Sequence, residues 1–247
     1  KTPTNVTSCP YKHIMDYRIA IPWAQRRFEW PRIQVRNICQ DIFSRFTSKY
    51  GHDMGMLIMY EDNSQQEHHV YDGQHRIITM YLIMIRIAQL LGGQSDSVEC
   101  KELSTHTLGQ LTAKRNLTKR LEDSKKLAVA EKKTLVPKIV CCRNEDTIAL
   151  INIINSSPED NVSNKNDSSV YEAFKEIIDV FCERNYSKDE LISFHDYMKE
   201  GVRFDVKTSE DKKYISKLFE HNNNRGKPVD ELDIVKAQVL DVIKPEK

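Results

Sequence analysis

The chain has 247 residues, 39% of them hydrophobic and 30% charged, with a formal net charge of +1. That length buries one sizeable core or two small ones, the apolar content excludes a disordered chain, and the near-neutral total does not call for a polyanionic partner. The longest apolar stretch, residues 77–91, is interrupted by Arg86 and falls short of the roughly 18 uncharged residues of a membrane helix, so it reads as a buried helix.

The first fifty residues carry nine Lys or Arg against three Asp or Glu, which suggests either a phosphate-facing surface or solvated helix charges. No segment there combines a basic start, an apolar middle and a cleavage site, and the chain opens at Lys1 rather than Met. A piece of a longer cytoplasmic protein is therefore expected, with flanking domains outside it. Six cysteines, none at C-x-x-C spacing and several inside apolar runs, are expected to be reduced core thiols.

In chain order, residues 17–22 predict a short strand ended by Pro22, and Pro31 suits the first turn of a helix through Ile33, Ile38, Ile42 and Phe46. Residues 56–60 and 68–71 are β-prone runs around a polar stretch, the pattern of a hairpin. Asp72-Gly73 follows directly, and from Gln74 the pattern turns helical until Gly92-Gly93. Polar helical sequence fills 104–133, and 135–142 predicts another strand, which Pro137 pushes toward a sheet edge. Residues 155–169, rich in Asn, Ser and Asp, mark a loop or hinge. Beyond it, 170–183, 188–199, 209–220 and 230–243 show helical apolar spacing, with one possible short strand at 202–206. The expected fold class is α+β. A small mixed sheet with helices occupies 1–154, and a mostly helical region occupies 155–247.

Three blocks carry candidate chemistry. In Ile21-Pro22-Trp23-Ala24-Gln25-Arg26-Arg27-Phe28-Glu29-Trp30, two adjacent arginines and a glutamine are held between aromatics ahead of a helix. They can clamp an anion through charge-assisted hydrogen bonds, or form only an exposed loop with a Trp anchor. In Val70-Tyr71-Asp72-Gly73-Gln74-His75-Arg76, a strand-to-helix turn offers free N–H donors, a glycine that lets a phosphate approach, and Arg76 in the first turn. There Asp72 acts in a site or simply as an N-cap. The third block runs from Leu218 to Val229 and contains Asn223, Arg225, Gly226 and Lys227. It is a tight interhelical turn that can also lean amide and cationic groups toward a ligand. His221 lacks a second histidine at His-Asn-His spacing, and no Walker loop is present.

In order and spacing these blocks resemble the N-terminal domain of GmrSD-type, modification-dependent restriction enzymes. The matching residues are Ile21, Pro22, Gln25, Arg26 and Trp30, then Asp72, Gly73, Gln74 and Arg76, then Phe219, Asn223 and Gly226. Ala24 stands where an aromatic is usual, Phe28 replaces Tyr, His75 replaces Gln and Val229 replaces Leu. The resemblance implies a ParB- and sulfiredoxin-like core and Mg²⁺-dependent binding and hydrolysis of a nucleoside triphosphate. It further implies that this activity regulates or powers DNA restriction by a nuclease domain outside the chain.

On that basis Gln25, Arg26, Asp72 and Arg76 are expected to line one pocket as catalytic residues, with Asp72 holding the metal or orienting water. Gly73, Gln74, Asn223, Arg225, Gly226 and Lys227 are expected to bind the nucleotide. Expected partners are the nucleotide, DNA through the basic N-terminal face or a missing nuclease domain, and a second copy in a homodimer, with no membrane. The competing readings are a nucleotide switch or DNA-binding module without turnover, and a scaffold whose motif residues only stabilise turns.

Overall fold

The computed structural model describes residues 6–23, 25–94, 96–112, 135–141, 144–157 and 168–223. Among these residues six strands and eight helices follow one another as β1 (Thr7–Pro10), α1 (Tyr11–Ile14), β2 (Ile19–Ile21), α2 (Arg32–Thr47), β3 (His52–Asp62), β4 (Glu67–Asp72), α3 (Gln74–Gly92), α4 (Val98–Leu111), β5 (Ile139–Cys141), α5 (Asn144–Ile154), α6 (Ser169–Cys182), α7 (Lys188–Glu200), β6 (Val202–Ser209) and α8 (Lys212–Asn223). The strands form one mixed sheet in the order β1-β6-β3-β4-β2-β5, so the protein is α+β as expected. Segments 113–134 and 230–243, both expected to contain helix, lie outside the described residues.

The predicted hairpin is β3–β4, antiparallel from Tyr60↔His69 to Asp62↔Glu67. β5 lies at one edge beside β2, where Pro137 had pointed. The strand at 202–206 is longer than expected and lies inside the sheet, next to the edge strand, paired antiparallel to β1 and parallel to β3. Residues on both sides of 154/155 share the main core, which takes in Leu57 and Ile77 as well as Phe174, Phe194 and Phe204. Ser209 belongs to β6 and not to the following helix, which starts at Lys212.

At the centre lies α3. A helix apolar on every side must be enclosed on every side, and from Ile77 to Ala88 every residue of α3 is buried. α4, α6 and α7 pack around it. No helix among the described residues is long and apolar enough to cross a membrane. Arg86, which interrupts the apolar run, is 5% exposed. Burial pulls its pKa down, opposed by Cys182 at the end of α6. The other face of the sheet holds a small cluster of Ile58, Tyr71 and Ile215, against which Leu218 and Phe219 of α8 pack.

The helical layer is tied by charge as well as by apolar contact. Glu176 on α6 is 3% exposed and accepts from Arg32 Nε at 2.6 Å and from Arg36 Nε. Asp179 accepts from Arg32 Nη2 at 2.6 Å and Glu183 from Arg36 Nη1 at 2.8 Å. Burial pushes the Glu176 carboxyl up, but the hydrogen bonds from Arg32 and Arg36 outweigh it and hold the pKa below its ordinary value.

Such a depressed carboxylate contributes stability above its unfolded pKa, which is lost as pH falls through the folded one. Glu176→Gln is therefore expected to lower unfolding free energy by about 1.5 kcal/mol at neutral pH. Denaturant titrations should show the gap to wild type narrowing below about pH 4.3.

Much of the N-terminal basic surplus is consumed in this way. Lys12 pairs with Glu200 at 2.9 Å, Arg18 lies 3.6 Å from Glu67, and Arg32 and Arg36 serve α6.

Candidate functional site

Three neighbouring strands, β4, β2 and β5, are parallel to one another, so the segments that follow them emerge at the same end of the sheet. β4 delivers Asp72-Gly73 and the start of α3, β2 delivers the turn from Pro22, and β5 delivers the start of α5. The space beyond the carboxyl ends of parallel strands is where open α/β sheets gather ligands.

There a narrow recess is lined by Ile21, Pro22, Gln25, Arg26 and Phe28 of the first block, Gln74 and Ile78 of α3, Cys141 of β5 and Asp146 of α5. Gln25 and Gln74 are 9% and 6% exposed. The Gln74 Oε1 atom is buried with no hydrogen-bond partner among the described residues.

The first two blocks are locked together by aromatic contact. His75 stacks on Trp30, with ring centroids 5.6 Å apart and planes at 16°, and its centroid lies 5.3 Å from that of Phe28. Burial, reinforced by the charges of Arg26 and Arg76, pushes the imidazole down to about 4, although a hydrogen bond with the Arg27 backbone opposes this. His75 is thus a neutral wedge at neutral pH.

Asp72, the last residue of β4, and Arg76, in the first turn of α3, are not among the residues that line the recess. Asp72 Oδ2 lies 3.6 Å from Arg76 Nη2, and Asp72 Oδ1 accepts from the Gly73 N–H at 2.8 Å. The N-cap position is Gly73, at φ +95°, with no side-chain cap bond, so Asp72 is not the helix cap.

Arg76 Nη1 donates to the Met54 carbonyl at 2.7 Å, next to an irregularity in β3 where the pairing with β6 shifts register. Gly55, at φ +77°, leaves room for that guanidinium, since a Cβ there would lie 2.7 Å from Arg76 Nη1. Gly55→Ala is accordingly expected to displace Arg76 and to cost the folded protein at least the roughly 1 kcal/mol of a strained left-handed alanine, measured by thermal melting beside Arg76→Ala.

Asp146 is the residue that the sequence reading missed. It is 3% exposed, accepts from the Phe28 N–H at 3.4 Å and from the Ser168 hydroxyl at 2.7 Å, and so staples the first block to the start of α6. The Thr147 hydroxyl accepts from the Cys141 N–H and donates to its carbonyl, fixing α5 on β5. An acidic pair, Glu145-Asp146, ahead of the apolar run 148–154 was the available signal for a helix start here.

From the third block, Phe219 packs behind Tyr71 of the second. The side chain of Asn223 and the whole of Arg225, Gly226 and Lys227 lie outside the described residues.

A family model matches most of the chain. The model of the GmrSD restriction endonuclease, N-terminal domain, matches residues 11–240, a span that includes all three blocks and every described strand except β1. The chain belongs to the GmrSD N-terminal domain family. No curated protein matches it. In this GmrSD N-terminal domain the residues that carry the resemblance are split by the first turn of α3. Gln25, Arg26 and Gln74 share the recess, and Asp72 and Arg76 form the pair beside it. Membership places the domain among the parts of restriction systems.

Proposed function

We propose that this GmrSD N-terminal domain binds a nucleoside triphosphate with Mg²⁺ and hydrolyses it, and that this controls or powers DNA restriction by a nuclease domain outside the chain. The observation that carries the reading is the convergence of Gln25, Arg26 and Gln74 on one recess at an uncapped helix start. The amides of an uncapped first turn have no intrahelical acceptor and lie at the positive end of the helix dipole, so an anion satisfies them. Arg26 adds a full charge, and the buried Gln25 and Gln74 amides add oriented polar groups.

The residues also fit a magnesium ion that arrives with its nucleotide. Asp72 offers a partly exposed carboxylate, and among the described residues no three His, Cys, Asp or Glu side chains gather into a metal cage. That matches an ion that takes one or two carboxylates and completes its shell with phosphate oxygens and water. When bound, Mg²⁺ neutralises charge on the phosphate oxygens. Asp72 would hold it or orient the attacking water, Arg76 would face the phosphoryl group from the same turn, and Arg26 would fix the phosphate chain from the recess.

The test is phosphate release by purified protein with Mg²⁺ and each of the common triphosphates, with and without DNA. Release above the protein-free rate, abolished by Asp72→Ala, is expected. Calorimetry showing no binding of any triphosphate would end the proposal.

A further inference from the structure

The geometry points to Asp146 as the positioning residue that holds Gln25 and Arg26 in place for the triphosphate. This inference rests on the nucleotide reading above and adds what keeps the phosphate-facing loop rigid. Residues 25–31 run from β2 to α2 as neither helix nor strand, so buried backbone groups there need partners from elsewhere in the fold. The Phe28 N–H finds one in the Asp146 carboxylate, 3.4 Å away and 118 residues later in the chain. Both residues are buried, and out of water an ionised acceptor strengthens a hydrogen bond.

The carboxylate is itself held on firm elements. Asp146 stands in the first turn of α5, where a helix start favours negative charge. The adjacent Thr147 ties that turn to β5 through both backbone groups of Cys141. The other carboxylate oxygen, Oδ1, accepts from the Ser168 hydroxyl at 2.7 Å, and Ser168 caps α6 by accepting from the Val170 N–H. α6 also grips the far end of the loop, where Arg32 opens α2 and donates to Glu176 and Asp179. The middle and the end of the loop are thus fastened to the same helix.

Asp146 lines the recess with Gln25 and Arg26, yet it acts through the loop. A carboxylate repels the phosphates that an arginine attracts, so it is no direct ligand for them. A guanidinium that must meet a phosphate in one geometry gains from a backbone fixed on both sides. A purely structural Asp146 would make the same contacts, and a double-mutant cycle with Arg26 tells the two roles apart. If Asp146 positions Arg26, its loss weakens binding only while Arg26 is present to be misplaced.

The experiment titrates ATP, GTP, CTP and UTP, each with Mg²⁺, calorimetrically into wild type, Asp146→Ala, Asp146→Asn, Arg26→Ala and the Asp146→Ala/Arg26→Ala double variant, all checked by thermal melting. Asp146→Ala is expected to lose roughly tenfold in triphosphate affinity in the wild-type background and less than about twofold in the Arg26→Ala background. Asp146→Asn keeps an oxygen for the Phe28 N–H and an amide that can donate to the Ser168 hydroxyl, so it should bind within about threefold of wild type. Asp146→Leu, which fills the space without an acceptor, takes the place of Asp146→Ala if the alanine protein does not fold. Arg26→Lys, whose flexible stem depends less on a fixed backbone, takes the place of Arg26→Ala if that variant binds too weakly to titrate.

An equal loss in both backgrounds, or full affinity in a folded Asp146→Ala protein, overturns the positioning role. A loss in Asp146→Asn as large as in Asp146→Ala overturns it too, because the hydrogen bonds are then not what holds the loop. Failure of wild type to bind any triphosphate removes the underlying nucleotide reading and this inference with it.

Discussion

Arg76→Ala and Asp72→Ala are expected to abolish turnover for opposite reasons. Arg76 is a cation held on the first turn of α3, anchored to the Met54 carbonyl and 3.6 Å from the Asp72 carboxylate. In the proposed nucleotide complex it would face a phosphoryl group and oppose negative charge in both ground and transition states. Its loss should weaken binding and slow hydrolysis, with about 2–4 kcal/mol lost from the barrier-lowering interaction. Removing Asp72 takes away a carboxylate that repels phosphate, so nucleotide binding should persist while hydrolysis collapses.

The structure sharpens the contrast with a purely local role. Because the N-cap is Gly73 and no side chain caps the helix, Asp72→Ala forfeits only the Oδ1 bond to Gly73 and a partly exposed ion pair. The expected loss of stability is about 1 kcal/mol or less. Single-turnover hydrolysis measured beside thermal melting decides the matter. A well-folded Asp72→Ala protein hydrolysing at the wild-type rate would remove this residue from the chemistry.

His75 should contribute to the acid limb of the stability curve. Its folded pKa of about 4 lies below the ordinary 6.5 because burial and the Arg26 charge disfavour the imidazolium. The unfolded chain therefore binds the extra proton first as pH falls. Linkage then makes the folded state lose stability progressively from about pH 6.5 down to 4, by on the order of 3 kcal/mol from this group. His75→Phe keeps a ring between Trp30 and Phe28 and cannot titrate, so its unfolding free energy should fall less across that interval. Parallel curves for the two proteins in urea titrations at pH 7, 6, 5 and 4.5 would contradict the assignment. A bound phosphate offsets the charges of Arg26 and Arg76 and raises the folded pKa of His75 toward 6.5, so saturating nucleotide should shrink the loss that this group contributes as pH falls.

What the sequence disclosed depended on range. The turn after β4 was readable because Asp72-Gly73 sits between a β-prone run and a helical one, and the positive φ of Gly73 explains the glycine. The first block was readable because Pro22 and Pro31 bracket it. Pairings between distant segments left no comparable mark. β1 and the first half of β6 gain their strand conformation from each other, across separations that run from 193 residues (203 − 10) for Pro10↔Arg203 to 199 (206 − 7) for Thr7↔Val206.

The same limit applied to the site. Nothing around Asp146 announces a bond to the Phe28 amide 118 residues earlier. The division of Gln25 and Arg26 from Asp72 and Arg76 arises because Gln74 and Ile78 face the recess while Arg76 reaches the Met54 carbonyl beside Gly55. The N-terminal basic surplus looked like one surface, yet Lys12, Arg18, Arg32 and Arg36 pair with partners on α7, β4 and α6, which composition could not reveal.

The position of β6 governs how the protein emerges from the ribosome. β6 is the last described strand in the chain, yet it lies between β1 and β3 and is the strand to which β1 is paired. Until residue 209 has been synthesised, β1 has nothing to join and one flank of β3 stays open. The nascent chain thus carries two unsatisfied backbone ladders until β6 has emerged. Closing them requires the two ends of the described chain to meet, the kind of long-range contact that slows folding and leaves unpaired edges exposed to other nascent chains. Production at low temperature, or with a chaperone that shields strand edges, should therefore raise the yield of soluble protein more than substitutions at the exposed surface.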